Sequence, residues 1–231
     1  MNTDRANNIN NKKEYIIKKN EKFVITINRE LGSGGRTVGR KVAERLGVPF
    51  YDKELIKALT AEFHLSVTEI EHLKGRNHSW WADFKRAMNI GTGMNSSQYY
   101  QVKPGEEPDL LTTDEVFKTE QEILKGIAAD ESCVVAGRSG FFVFRNHPNR
   151  LSVLIQASMD FRVERVARKQ NLTPEEARKV IEQVDKMREN YVKKYTGTSR
   201  YDTRNYDLVI RADGKTEDEL ADLIMQYVCG Q

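Results

Sequence analysis

Phe23-Val24-Ile25-Thr26-Ile27-Asn28-Arg29-Glu30-Leu31-Gly32-Ser33-Gly34-Gly35-Arg36-Thr37 is the stretch that decides the fold. Its first five residues form a short β-rich apolar run, the pattern of a buried strand. Glycines at positions 32, 34 and 35 end that run. Val38, Val42 and Leu46, with Ala43, then recur at helical spacing, and Gly47 stands where a helix stops. Strand, glycine loop, helix is the first unit of an α/β nucleotide-binding sheet.

The loop departs from the usual phosphate-loop pattern G-x-x-x-x-G-K-[ST]. Glu30 stands at the first glycine and Arg36 at the lysine, while Gly35 and Thr37 keep their places. The physics is better than the pattern. Gly32, Gly34 and Gly35 can take positive φ and bring backbone N–H groups close to phosphate oxygens. The helix beginning near Arg36 adds its N-terminal dipole. Arg36 supplies positive charge, although its planar fork is not a point ammonium. Thr37 offers a hydroxyl to Mg²⁺. The bland reading is an ordinary flexible strand–helix turn. Three glycines, an arginine and a threonine between strand and helix favour phosphate.

Working outward, Val48-Pro49-Phe50-Tyr51 reads as a short second strand ending at Asp52. Helices are predicted from Lys53 to about Phe63 and from Ser66 to about Lys74. Gly75 to Leu111 has a weak pattern and reads as an irregular or partly helical insert with a long loop. Trp80, Trp81, Tyr99 and Tyr100 in it either stack on a base or form a local core or oligomer contact.

Thr112-Thr113-Asp114-Glu115, Thr173-Pro174-Glu175-Glu176 and Thr216-Glu217-Asp218-Glu219 are capping boxes, each opening a helix. Cys133-Val134-Val135-Ala136, Leu151-Ser152-Val153-Leu154-Ile155 and Tyr206-Asp207-Leu208-Val209-Ile210 read as strands. Five apolar strands separated by helices imply a parallel sheet covered on both faces. Ligands on such sheets bind beyond the carboxyl ends of the strands. The loop 32–37, Asp52 and Gly137-Arg138 are therefore predicted to converge.

These residues carry a resemblance. The segments ITINRELGSGGRTVGRKVAERLGVPFYDKELI, CVVAGRSG, VDKMRENYVKKYTG and NYDLVI are, in that order, similar to the cytidylate kinase-like family of P-loop nucleoside monophosphate kinases. The resemblance implies a three-layer α/β/α P-loop fold with a five-stranded parallel sheet of order 2-3-1-4-5. It implies a kinase domain over 23–231, a monophosphate-binding insert over about 64–111 and a lid over about 158–200. The implied reaction is ATP + CMP → ADP + CDP with Mg²⁺.

Roles follow from the same resemblance. Gly32, Ser33, Gly34, Gly35, Arg36 and Thr37 would hold the ATP phosphates, with Thr37 on the metal. Asp52, Arg138, Asp185 and Arg188 would hold the acceptor. Arg162, Arg165 and Arg168, at i, i+3 and i+6 on roughly one side of a helix, would close over the transferring phosphate. Phosphoryl transfer needs alignment and positive charge on the phosphate oxygens more than covalent help, which suits arginine.

The bland alternatives are a solvated arginine face, a helical Asp185–Arg188 pair, and Asp52 as a helix cap. Ser139 replaces the aspartate of the family's G-R-D-x-G, and no acid ends the third strand to hold metal-bound water. Two other functions stay open: a P-loop kinase for a different small acceptor, and a catalytically weak nucleotide-binding regulatory module.

Composition limits the partners. The chain has 231 residues, 39% hydrophobic and 31% charged, enough for one large domain. It has no apolar run long enough to span a membrane. Residues 1–22 lack an apolar h-region, and the two cysteines form no framework, so a cytoplasmic protein is expected. The net charge of +3 resides entirely in residues 1–22, read as a basic, disordered tail. The body balances to zero, which argues against a nucleic-acid grip and for small anionic nucleotides. The histidines have no ligand partners at useful spacing.

Overall fold

The computed structural model describes residues 17–53, 55–56, 66–74, 80–87 and 114–229. Its centre is a five-stranded sheet of β1 (Val24–Arg29), β2 (Phe50–Asp52), β3 (Cys133–Ala136), β4 (Arg150–Gln156) and β5 (Leu208–Arg211). The strand order is β2-β3-β1-β4-β5 and every pairing is parallel. This is the order the resemblance implies. The strand interiors are mostly apolar because helices cover both faces.

One face is covered by α1 (Gly35–Leu46) and α8 (Glu217–Cys229). Ile25 and Ile27 of β1 pack there with Val38 and Val42 of α1 and with Leu220 and Ile224 of α8. The opposite face is covered by α2 (Val67–Lys74), α3 (Trp80–Ala87) and α4 (Asp114–Asp130). Val24 and Val135 meet Ile123, Leu124 and Ile127 there. Val24 and Ile25, adjacent in sequence, serve opposite cores because strand side chains alternate.

The short α5 (Gly140–Val143) follows β3. The helices α6 (Met159–Gln170) and α7 (Pro174–Thr196) then pack on each other through Val163, Val166, Ala177 and Ile181. They occupy the region expected to form the lid. The capping boxes at Thr173–Glu176 and Thr216–Glu219 are both made, with backbone N–H to carboxylate distances of 2.8 and 2.7 Å. Thr112, in the third, lies outside the described residues.

One expectation changes, and two are sharpened. Residues 17–22 were grouped with a disordered tail, but Ile17 is buried in the core. Asn149 accepts from Lys18 N–H at 3.0 Å and donates to the Lys18 and Lys22 carbonyls. An apolar residue and a buried amide outweigh the local lysines. Trp80 and Trp81 are local core: they meet edge to face at 5.6 Å, and Trp81 is fully buried. Of the insert expected at 64–111, α2 and α3 are described. Tyr99 and Tyr100 lie outside the described residues.

Candidate active site

A cavity of about 230 Å³ lies between the carboxyl end of β1 and helix α6. Its floor is the glycine loop, with Gly32, Gly34, Gly35, Arg36 and Thr37 on the wall. Helix α1 starts at Gly35. Its N-cap is Gly34 at φ +83, with no side-chain cap and no acidic residue in the first turn. Most helices fill that end with a serine, threonine or aspartate oxygen. Here no side chain fills it, an arrangement that suits an anion.

Two interactions shape the loop. Ser33 Oγ donates to the Glu30 carbonyl at 2.9 Å. Glu30 Oε2 accepts from Ala157 N–H at 2.9 Å, at the junction of β4 and α6. The acid at the first-glycine position is therefore spent on a backbone donor.

Gly32 fits tightly under α6. At φ +86, a Cβ there would come within 2.9 Å of the Arg162 carbonyl oxygen. Gly32→Ala is expected to lower the unfolding free energy by about 1–3 kcal/mol, from backbone strain and this overlap. Urea titration of the two proteins checks it.

Cations ring the cavity. Arg29, Arg36, Arg40, Arg165, Lys169 and Arg188 line it, with Glu30 as the carboxylate. Burial first, and then Arg165 beside it, push the Lys169 ammonium below its ordinary pKa. That environment rewards an arriving anion. Arg29, Arg40 and Lys169 were not singled out from the sequence.

The sequence-predicted residues are placed as follows. Asp52 and the loop do converge, but through an ion pair: Arg36 Nε and Nη2 each lie 2.6 Å from Asp52 Oδ2. The other Asp52 oxygen accepts from Leu55 N–H at 3.1 Å, so Asp52 also caps the helical residues Leu55 and Ile56 just beyond β2. Arg36 was expected on phosphate at the lysine position. In this structure its fork is turned to a carboxylate that is 1% exposed.

Gly137, Arg138 and Ser139 all have positive φ, at 81°, 53° and 53°. They form a tight turn closed by Gly140 N–H to the Gly137 carbonyl at 2.9 Å. Arg138 is buried in an ion pair with Glu120 of α4 and lies 5.0 Å from the Tyr191 ring centre. The Ser139 hydroxyl is buried with no hydrogen-bond partner among the described residues.

The three arginines of α6 separate. Arg162 is buried, 2.5 Å from Asp185. Arg165 reaches the cavity and pairs with Glu217 at the start of α8. Arg168 is exposed and away from the cavity. At about 100° per residue, Arg168 is turned about 120° from Arg162. The i, i+6 spacing therefore does not keep one face.

Asp185, expected on the acceptor, is instead a junction. It accepts from Leu31 N–H at 3.1 Å and lies 3.4 Å from Arg200 and 3.6 Å from Arg188. Arg188 itself lines the cavity. Arg200 was absent from the sequence reading. It is 1% exposed and donates to the Arg29 carbonyl.

The donor set suits a nucleotide triphosphate with magnesium. An uncapped helix start and cations suit phosphates, and the Thr37 hydroxyl on the wall is a hard oxygen donor. Among the described residues, no cluster of three His, Cys, Asp or Glu side chains is placed to hold a metal alone. Magnesium characteristically arrives with phosphate oxygens and water rather than in an all-protein cage. No helix among the described residues is long and apolar enough to cross a membrane.

Known proteins resemble the chain in fold and in sequence. An uncharacterized protein from Eubacterium ventriosum shares the fold, with a TM-score of 0.65 at 22% identity, covering 91% of this chain and 100% of that one. A cytidylate kinase of Methanopyrus kandleri is 26% identical over 205 residues, 85% of this chain and 88% of that protein. One from Sulfolobus acidocaldarius is 27% identical over 112 residues, 48% of this chain and 60% of that protein. The model of the cytidylate kinase-like family matches residues 24–213. A parallel sheet, a glycine loop opening an uncapped helix and a match over most of the length converge: the chain belongs to the cytidylate kinase-like family and is a phosphoryl-transferring kinase.

Proposed function

We propose that the protein transfers the γ-phosphoryl group of ATP to a nucleoside monophosphate, with CMP as first choice: ATP + CMP → ADP + CDP. The observation that carries this reading is the cation-lined cavity at the uncapped start of α1. The acceptor rests on family membership and on the two relatives, both cytidylate kinases.

Backbone N–H groups of Gly34, Gly35 and Arg36 hold the phosphates. Arg165, Lys169 and Arg188 supply positive charge around them. Thr37 is the residue that would hold Mg²⁺ together with the nucleotide, and the metal supplies neutralisation of charge on the phosphate oxygens. Asp52 and the turn at Gly137–Ser139 border the acceptor side. Glu120 and Asp185 set the shape of that side by fixing Arg138 and the loop. The reaction needs these groups pre-aligned, since its charge moves without a covalent protein intermediate.

A second reading keeps the chemistry and changes the acceptor. It is favoured by Ser139, whose hydroxyl is buried where the family has an aspartate, and by Arg138, which is held by Glu120. ADP release with ATP, Mg²⁺ and a panel of acceptors separates the two. CMP and dCMP are expected to give the largest kcat/KM. If both fail while another phosphorylated or hydroxylated acceptor works, the CMP reading is wrong and the kinase reading stands. Tight ATP binding with no transfer to any acceptor defeats both.

A further inference from the structure

We propose that Arg29, the last residue of β1, contacts the transferring phosphoryl group, and that Arg36 does not. This rests on the phosphoryl-transfer reading above and adds to it a catalytic residue that neither the loop pattern nor the resemblance names.

The usual pattern gives the phosphate-binding cation to the position of Arg36. That guanidinium is engaged by Asp52, beyond the end of β2. Arg29 lines the same cavity and is 8% exposed. Its stem passes against Gly35, where a Cβ would lie 2.6 Å from Arg29 Cβ. Its guanidinium ends against Gly137, where a Cβ would overlap Nη1. Two glycines thus leave room for one arginine at both ends.

Those ends have meaning. Gly35 is the first residue of the phosphate-facing helix α1. Gly137 opens the turn after β3, which the proposed function puts on the acceptor side. A phosphoryl group passing from donor to acceptor crosses between these elements, and the Arg29 side chain spans that interval.

The residue is also fixed from behind. Its carbonyl accepts from Arg200, and Arg188 Nη1 lies 3.5 Å from the same oxygen. A donor held in place in a water-poor setting is what stabilises charge as it moves, because nothing has to reorganise during the reaction.

The test compares wild type, R29K, R29M and R36M. Thermal melts confirm folding, and R29K keeps the long cationic stem if R29M is unstable. With Mg²⁺-ATP and the best acceptor, R29M is expected to lower kcat by about 100-fold with little change in the KM for ATP. R29K is expected to lie between R29M and wild type, because an ammonium lacks the planar fork. R36M is expected to lose far less kcat. Normal kcat in R29M, or an equal loss in R36M, overturns the proposal.

A second arm needs no acceptor. Calorimetry should show the preference for ATP over ADP falling by about tenfold in R29M and persisting in R36M. An unchanged preference in R29M overturns the contact. If wild type binds ATP but transfers to nothing, the proposed function fails while this arm still decides Arg29.

Discussion

Arg138→Ala is expected to lower the unfolding free energy by about 3–5 kcal/mol, the cost of leaving a buried charge without its partner. The Glu120 side chain is 2% exposed and the Arg138 side chain 4%. Water cannot replace the guanidinium at that depth. The Tyr191 ring, 5.0 Å from Arg138 Cζ, loses a cation over its face in the same change. The backbone adds to the effect. Arg138 and Ser139 both hold φ +53, a region that non-glycine residues leave when they can. The ion pair is what ties this turn to α4, so its loss frees the turn to relax.

The loss divides cleanly between charge and packing. The pair R138M/E120Q removes both charges and should recover much of the stability lost in Arg138→Ala. A double-mutant cycle by urea titration measures the coupling. Transfer should not recover with it: kcat/KM for the acceptor is expected to fall by about tenfold or more in both variants, since a charged hydrogen-bonding group is gone from the acceptor side. An Arg138→Ala protein that melts with wild type would show that the buried pair contributes nothing.

This pair also shows where reading a sequence stops. The strands were legible because apolar runs and capping boxes are local signals, their order came with the family resemblance, and of the expected convergence the structure shows the meeting of loop 32–37 with Asp52. Arg138 was legible as a residue of interest. Its partner was not, because Glu120 lies mid-helix in α4 among ordinary polar neighbours. Arg36 was correctly placed on the loop, but sequence position does not say which way a long side chain turns. Asp52 decided that.

Arg29 carried a signal that went unread. A buried charged residue closing an almost wholly buried strand is costly and calls for an explanation. Arg200 carried almost none. It follows the end of α7 at Gly197, in a segment without periodicity, and becomes visible only when the chain returns beneath the loop. Arg168 shows the opposite error, a spacing that suggested one face and that helix rotation carries off it.

The same return of the chain makes Asp185 the residue whose loss should reach furthest. One carboxylate joins four separate elements: the loop through Leu31 N–H, α6 through Arg162, α7 through its own backbone and Arg188, and the segment after α7 through Arg200. Burial and the neighbouring Arg188 already push the Arg200 guanidinium below its ordinary pKa, with Asp185 opposing them. Without Asp185, Arg162 keeps Glu30 at 3.8 Å, but the buried Arg200 loses the carboxylate that opposes burial and Arg188. Asp185→Asn keeps an oxygen for Leu31 N–H and removes the charge. It should cost about 3 kcal/mol or more, a fall in Tm of about 6–12 °C for a chain of this size, with the KM for ATP little changed. Asp185→Ala removes the loop acceptor as well. It should be less stable still, and should raise the KM for ATP by about tenfold, because a half-buried N–H left without its carboxylate releases the loop at Leu31. The separation between the two variants is the test. Equal KM values would mean that Leu31 needs no acceptor, and equal Tm values to wild type would mean that the arginines need no counter-charge. Either result would remove Asp185 as the link between α6, α7 and the glycine loop.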